Sequence, residues 1–164
     1  MQSSPDMSPP SAGLEALRAQ LVACALAWES AFGNAPQITA VLSEYDAARL
    51  LGCSDGDYSC AMRGATAVQR GHDFIYQGAR YQVKGNRPSG KRGSFVTRVP
   101  KPTNYDWDFL IWILYDRTYV VQEAWVWDVD AYRVAFDSIQ RLSPAHMRRG
   151  KPLVQVPSAS QALG

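Results

Sequence analysis

The chain has 164 residues and a mass of 18.1 kDa, a length that one domain with its own hydrophobic core accounts for. At 46% hydrophobic, 11% aromatic and 20% charged residues its composition is globular, which excludes a disordered or fibrous chain. A net charge of +2 does not mark a nucleic-acid binder by itself; three cysteines without a CxxC pair argue against a disulfide scaffold or a four-ligand zinc site, and two histidines exclude a histidine-rich metal centre.

Residues 1–12, rich in Ser and Pro, read as a disordered lead-in with neither the basic start nor the apolar core of an export signal. From Gly13 to Phe32 the spacing of Leu14, Leu17, Leu21 and Leu26 predicts a helix ending at Gly33, and a second runs from Ile38 to Leu51, closed by Gly52. Leu21 to Trp28 is apolar but short and flanked by charges, so no bilayer span is expected and the chain reads as cytoplasmic. Residues 53–71 give no clear pattern. His72–Tyr76 and Ala79–Lys84 then predict two short strands joined by a Gln77-Gly78 turn. Gly85–Gly93 reads as a polar loop and Ser94–Val99 as a further strand. Phe109–Tyr115, the most apolar run, predicts a strand buried on both faces, followed by a strand over Tyr119–Trp127. Asp128 can cap a helix over Val129–Phe136, Ser143-Pro144 opens a last short helix, and 157–164 reads as a flexible tail. The whole predicts one α/β (α+β) domain over residues 13–156, a central mixed sheet flanked by helices.

The hairpin carries the chemistry. With a two-residue turn, Phe74 faces Tyr81 and Asp73 faces Gln82, with Lys84 two residues on along the same face. Phe74, Tyr81 and Val83 occupy the opposite, apolar face. A carboxylate, an amide and an ammonium therefore converge. Asp73, the Gln82 side-chain oxygen and the Val83 carbonyl form a hard-oxygen set suited to magnesium, and a lysine beside it can orient water and neutralise charge on a phosphate. The alternative for Asp73 and Lys84 is a cross-strand salt bridge on a solvated face.

Asp73, eight intervening residues, then Gln82-Val83-Lys84 resembles the PD-(D/E)XK nuclease superfamily, with its restriction-endonuclease-like core. The stretch RYQVKGNRPSGKRG resembles the QxK variant of Mrr-like enzymes and small uncharacterised bacterial relatives. Within SEYDAARLLG, Glu44 matches the glutamate of the superfamily's first core helix, at the edge of the buried stripe between Ala48 and Leu51, with Asp46 pointing away. The resemblance covers residues 38–127. Gln82 stands where the superfamily usually has Asp or Glu, and His72 where its name advertises proline. The resemblance implies a metal-dependent DNA endonuclease using Mg2+, with Mn2+ as substitute, with Glu44, Asp73, Gln82 and Lys84 catalytic and Glu44, Asp73, Gln82 and Val83 around the metal.

Residues 80–101 carry seven basic and no acidic residues. Arg87, Lys91, Arg92, Arg98 and Lys101 are therefore candidates to grip a nucleic-acid backbone, double-stranded DNA being the expected partner; solvation of a loop is the plainer alternative. Gly85 to Lys91 fits GxxxxGK, yet Arg92 stands where Ser or Thr is required and a strand-like run follows, so no nucleotide cofactor is expected. Trp107, Trp112, Trp125 and Trp127 read as core, and Asp106 and Asp108 as turn residues. The rival functions are a catalytically inactive nucleic-acid-binding module of the same fold and a protein-partner-binding domain. Cutting two strands with one small site favours a homodimer.

Overall fold

A computed structural model describes residues 13–64 and 71–155, so the expected lead-in and tail lie outside the described residues. The order is α1 (Leu14–Phe32), α2 (Thr39–Leu50), α3 (Asp55–Gly64), β1 (Phe74–Tyr76), β2 (Ala79–Asn86), β3 (Phe109–Tyr115), β4 (Val121–Asp128), α4 (Val129–Phe136), α5 (Pro144–Met147) and β5 (Lys151–Gln155). The strands form one five-stranded mixed sheet in the order β1-β2-β3-β4-β5, with β2 and β3 parallel and the other neighbours antiparallel. The fold class is thus α+β with a central mixed sheet. The parallel β2–β3 pair requires a crossover, and the chain makes it through the long irregular segment 87–108.

The apolar run of β3 takes the central position, and its alternation divides the core in two. Ile111, Ile113 and Tyr115 join Val83, Phe74 and Ala124 on the face covered by α1 and α2. Leu110 and Trp112 join Trp107, Trp125, Trp127, Tyr132 and Phe136 on the face covered by α4, α5 and the incoming loop. All four candidate core tryptophans are buried. α4 starts where expected, the Asp128 carboxylate accepting the Ala131 N–H at 2.9 Å. Among the described residues no helix is long and apolar enough to cross a membrane.

Several expectations need correction. β2 continues through Gly85 and Asn86, where a loop is predicted, because these residues pair with Ile113 and Leu114 of β3. Ser94–Val99 is not a strand: only Val99 pairs, in an isolated bridge to Leu142, and Phe95 is left exposed. The unassigned stretch contains α3, whose signal is the Ser54-x-x-Asp57 start: Ser54 Oγ accepts the Asp57 N–H at 3.1 Å. β5 carries Pro152, which reads against a strand, yet it lies at the sheet edge where a missing N–H is tolerated. Asp46 does not point away from the core; it is buried and binds Arg18 and Tyr115.

Candidate active site

Gln77 and Gly78 both have positive φ, 49° and 78°, the signature of a type I′ turn whose twist suits a two-residue hairpin. The turn fixes the register Phe74↔Tyr81, Ile75↔Arg80 and Tyr76↔Ala79, as the sequence spacing predicts. The Asp73 N–H donates at 2.8 Å to the carbonyl of Tyr81, which already pairs with Phe74, so Asp73 sits in a bend just outside the ladder and does not continue the register opposite Gln82. There β1 ends while β2 runs on. Alternation along β2 puts Gln82 and Lys84 on one face and Tyr81 and Val83 on the other, where Phe74 packs beside Tyr81.

At this open end the Asp73 carboxylate turns towards β2. Its Oδ2 accepts the Val83 N–H at 2.6 Å and the Gln82 Nε2–H at 2.8 Å. In an extended strand a residue's N–H and C=O leave by the same edge, so the Val83 carbonyl also faces the open side of β2. Gln82 donates through its amide nitrogen, which leaves its oxygen free to accept. Gln82 is buried, and Lys84 is half-buried on the same strand.

Glu44, on α2, lies near enough to this end of the hairpin to feel the Asp73 and Lys84 charges. The helix lies close on β2 because residue 85 is glycine: a Cβ there would meet the Ser43 Cβ at 2.7 Å. Burial, and then the nearby Asp73 charge, push the Glu44 carboxyl up to about 7, opposed by Lys84. Asp73 is likewise raised, by burial first, against the Val83 N–H, Lys84 and His72. Among the described residues Lys84 forms no direct ion pair with either acid. It offsets two desolvated carboxylates from a distance. The pocket is short of positive charge.

Sequence reading misses Tyr58, on α3. Its phenol is pushed up to about 12 by burial and by the Glu44 and Asp73 charges, and its ring packs edge-on against Tyr45 and Phe74, at 5.5 and 6.5 Å between centroids. His72, next to Asp73, keeps its Nδ1 buried without a hydrogen-bond partner among the described residues.

The candidate donor set is of the chemical kind that a hard divalent cation could take. It comprises the Glu44 carboxylate, the Asp73 oxygen not held by β2, the Gln82 amide oxygen and the Val83 carbonyl, all oxygens, few enough to leave room for water. Among the described residues no group of three or more His, Cys, Asp or Glu side chains is placed to hold a metal ion.

The basic segment divides. Lys91, Arg92 and Arg98 are exposed. Arg87 and Lys101 depart from the expectation of backbone contacts. The Arg87 side chain is only 7% exposed; it forms a two-pronged pair with Glu29 of α1 at 2.9 and 3.0 Å, donates to the Arg117 carbonyl and lies over the Tyr119 ring. The Lys101 Nζ donates to the carbonyls of Phe136, Asp137 and Ile139 at 2.8–3.1 Å, which closes the end of α4. Asp108 holds the Arg80 backbone N–H and guanidinium, a structural role at the head of β3.

One consequence is measurable without any substrate. Because burial raises the folded-state pKa of Glu44, ionising it opposes folding: no penalty exists well below the ordinary value of 4.5, and the full penalty is present above about 7. Glu44→Gln should therefore stabilise the cation-free protein by about 1–2 kcal/mol near pH ~8, after discounting for solvent screening, and by nothing near pH ~4. Urea unfolding in EDTA at the two pH values checks this, and equal stability of the two proteins at the higher pH refutes it.

In comparison with known proteins, the chain matches no family model and no curated protein.

Proposed function

We propose that this protein is a metal-dependent endonuclease that hydrolyses phosphodiester bonds of double-stranded DNA, in the cytoplasm, and works as a homodimer where both strands are cut. The observation that carries this reading is the meeting of two partly buried carboxylates, Glu44 and Asp73, with the Lys84 ammonium at the open end of a β-hairpin. Burying like charges together is costly, and a site that does so is usually held for its chemistry. The resemblance of Asp73, Gln82-Val83-Lys84 and Glu44 to the PD-(D/E)XK pattern supports the same assignment.

Asp73, Glu44, Gln82 and Val83 would hold Mg2+, or Mn2+ in its place. Such an ion supplies Lewis-acid polarisation of a phosphoryl oxygen and a more acidic bound water. Asp73 is oriented by β2 itself, through the Val83 N–H and the Gln82 amide, so its second oxygen has a fixed direction. Lys84 has an ammonium without a direct acidic partner, able to hold a water or meet charge that develops on the phosphate. Glu44, raised to about 7, can exchange a proton near neutral pH.

One observation favours a second reading, a DNA-binding module without hydrolysis. Gln82 replaces a carboxylate and its amide donates to Asp73, which reduces the negative charge available to a cation. Supercoiled plasmid separates the two. The enzyme nicks it with Mg2+ or Mn2+ and not in EDTA, and Gln82→Glu retains or raises the rate because a further carboxylate strengthens a hard-cation site. Binding of the plasmid without nicking under any of these conditions, by the parent chain and Gln82→Glu alike, establishes the module.

A further inference from the structure

On the face of the sheet that carries Lys84, a cleft of about 510 Å³ opens beside the end of β2. Asn86, Arg98, Lys101, Gln140 and Arg141 supply its polar lining, over a floor that includes Val99 and Leu142, and no acidic side chain lines it. The isolated Val99↔Leu142 bridge, with the Val99 N–H donating to the Leu142 carbonyl at 3.0 Å, sets its geometry. Val99 and Leu142 both point into the core, so the flanking residues Arg98 and Arg141 point the other way, to one side of the bridge. Each immediately precedes a bridge residue and both line the one cleft, so two guanidiniums can serve one phosphate there.

Neither arginine has a carboxylate partner among the described residues, unlike Arg18, Arg49, Arg80, Arg87 and Arg148. Lys101 is held by carbonyls, which fix its position but do not cancel its charge. The Asn86 Oδ1 accepts the Trp112 Nε1–H at 2.9 Å, leaving its NH2 group as the free donor end. Asn86 follows Lys84 by two residues on the same face of β2, about 7 Å along the strand. The cleft thus continues along β2 from Lys84 with donors whose charges are all positive.

We propose that this cleft, through Arg98 and Arg141, anchors a backbone phosphate of the DNA whose neighbouring phosphodiester enters the Glu44–Asp73–Lys84 pocket. The substrate class rests on the function proposed above. The anchoring role does not require hydrolysis. A free phosphate would use the same donors, but a single ion would not span the cleft and the pocket.

The test uses binding of a labelled DNA duplex to the full chain in EDTA across a salt series, for the parent protein and for the double variant Arg98→Ala/Arg141→Ala. Both residues are exposed, so the fold should survive, and the thermal midpoint checks that it does. Losing the anchor on that one phosphate should lower the slope of log K against log salt by about 0.9 and weaken binding by about 10-fold at low salt. Arg98→Lys/Arg141→Lys should recover most of the slope, since point charges suffice for counterion release. The double alanine variant should raise KM for nicking and leave kcat unchanged. An unchanged slope and affinity in the double alanine variant overturns the cleft, as does absence of DNA binding by the parent chain at low salt. Loss of slope in a protein that never nicks DNA upholds the cleft and rejects the nuclease; nicking with an unchanged KM in the double variant does the reverse. Inorganic phosphate at millimolar concentration that displaces the duplex no better than chloride of equal ionic strength supports the anchored-backbone reading, and selective displacement overturns it in favour of a free-anion site.

Discussion

Asp73→Asn is expected to reduce metal-dependent nicking by about 1,000-fold or more while leaving the protein folded. The side chain sits where β1 has ended and β2 continues, and it faces the open edge with the one oxygen that β2 does not hold. Asparagine has the same shape, and its oxygen can still accept the Val83 N–H. It presents an NH2 group, not an anion, to the pocket. A divalent ion in such a site contributes several kcal/mol of transition-state stabilisation, and each ~1.4 kcal/mol is a factor of ten in rate. Stability should hold or rise, because burial already raises the Asp73 carboxyl and a neutral isostere avoids that penalty. The measurement is a nicking time course with the thermal midpoint of the same preparation. Nicking within about tenfold of the parent, in a folded Asp73→Asn protein, would remove Asp73 from the catalytic centre.

The hairpin was legible because its determinants are local. A two-residue turn with a glycine admits few registers, and one register alone puts Phe74 and Tyr81 into the core together. The same count brings Asp73 near Gln82, whose amide its carboxylate accepts. β3 was equally legible, since seven consecutive apolar residues suit a strand covered on both faces. What spacing could not supply was the depth at which α2 lies. That depends on Gly85, whose missing side chain admits Ser43, a contact between residues distant in sequence. Without it the charge coupling of Glu44 to Asp73 and Lys84 cannot be anticipated in strength.

The basic strip shows the opposite limit. Composition counts charges but does not reveal which of them the fold uses. Arg87 is taken by Glu29 from a helix far earlier in the chain, and Lys101 by the carbonyls that end α4. Lys91, Arg92 and Arg98 of the same strip are left exposed. Arg141, outside the strip, reaches the same surface as Arg98 only through the Val99↔Leu142 bridge. Non-local pairing of this kind leaves no periodic trace in either segment.

Asp46 carries the largest expected effect on stability. A single-stripe helical wheel turns it outwards, but α2 is buried along more than one face, between the sheet and α1. Asp46 accepts the Arg18 guanidinium through both oxygens, at 2.6 and 2.7 Å, and the Tyr115 O–H at 2.6 Å, while Arg18 also donates to the Tyr119 carbonyl at 2.9 Å. One carboxylate thus ties α1 and α2 to the end of the central strand. Burial and the Asp46 charge hold the Tyr115 phenol far above its ordinary range, so it remains a donor. Asp46→Ala leaves a half-buried guanidinium and a buried phenol without their acceptor. Removing one partner of such a pair costs about 3–5 kcal/mol, and for a chain of this size that lowers the thermal midpoint by on the order of 10 °C. The double variant Arg18→Met/Asp46→Leu should regain most of the loss, because an apolar pair of similar volume avoids both desolvation penalties. Thermal unfolding of the two single variants and the double closes the cycle. Strictly additive losses would show that the pair does not act as a unit, and that Asp46 holds α2 through Tyr115 and packing without Arg18.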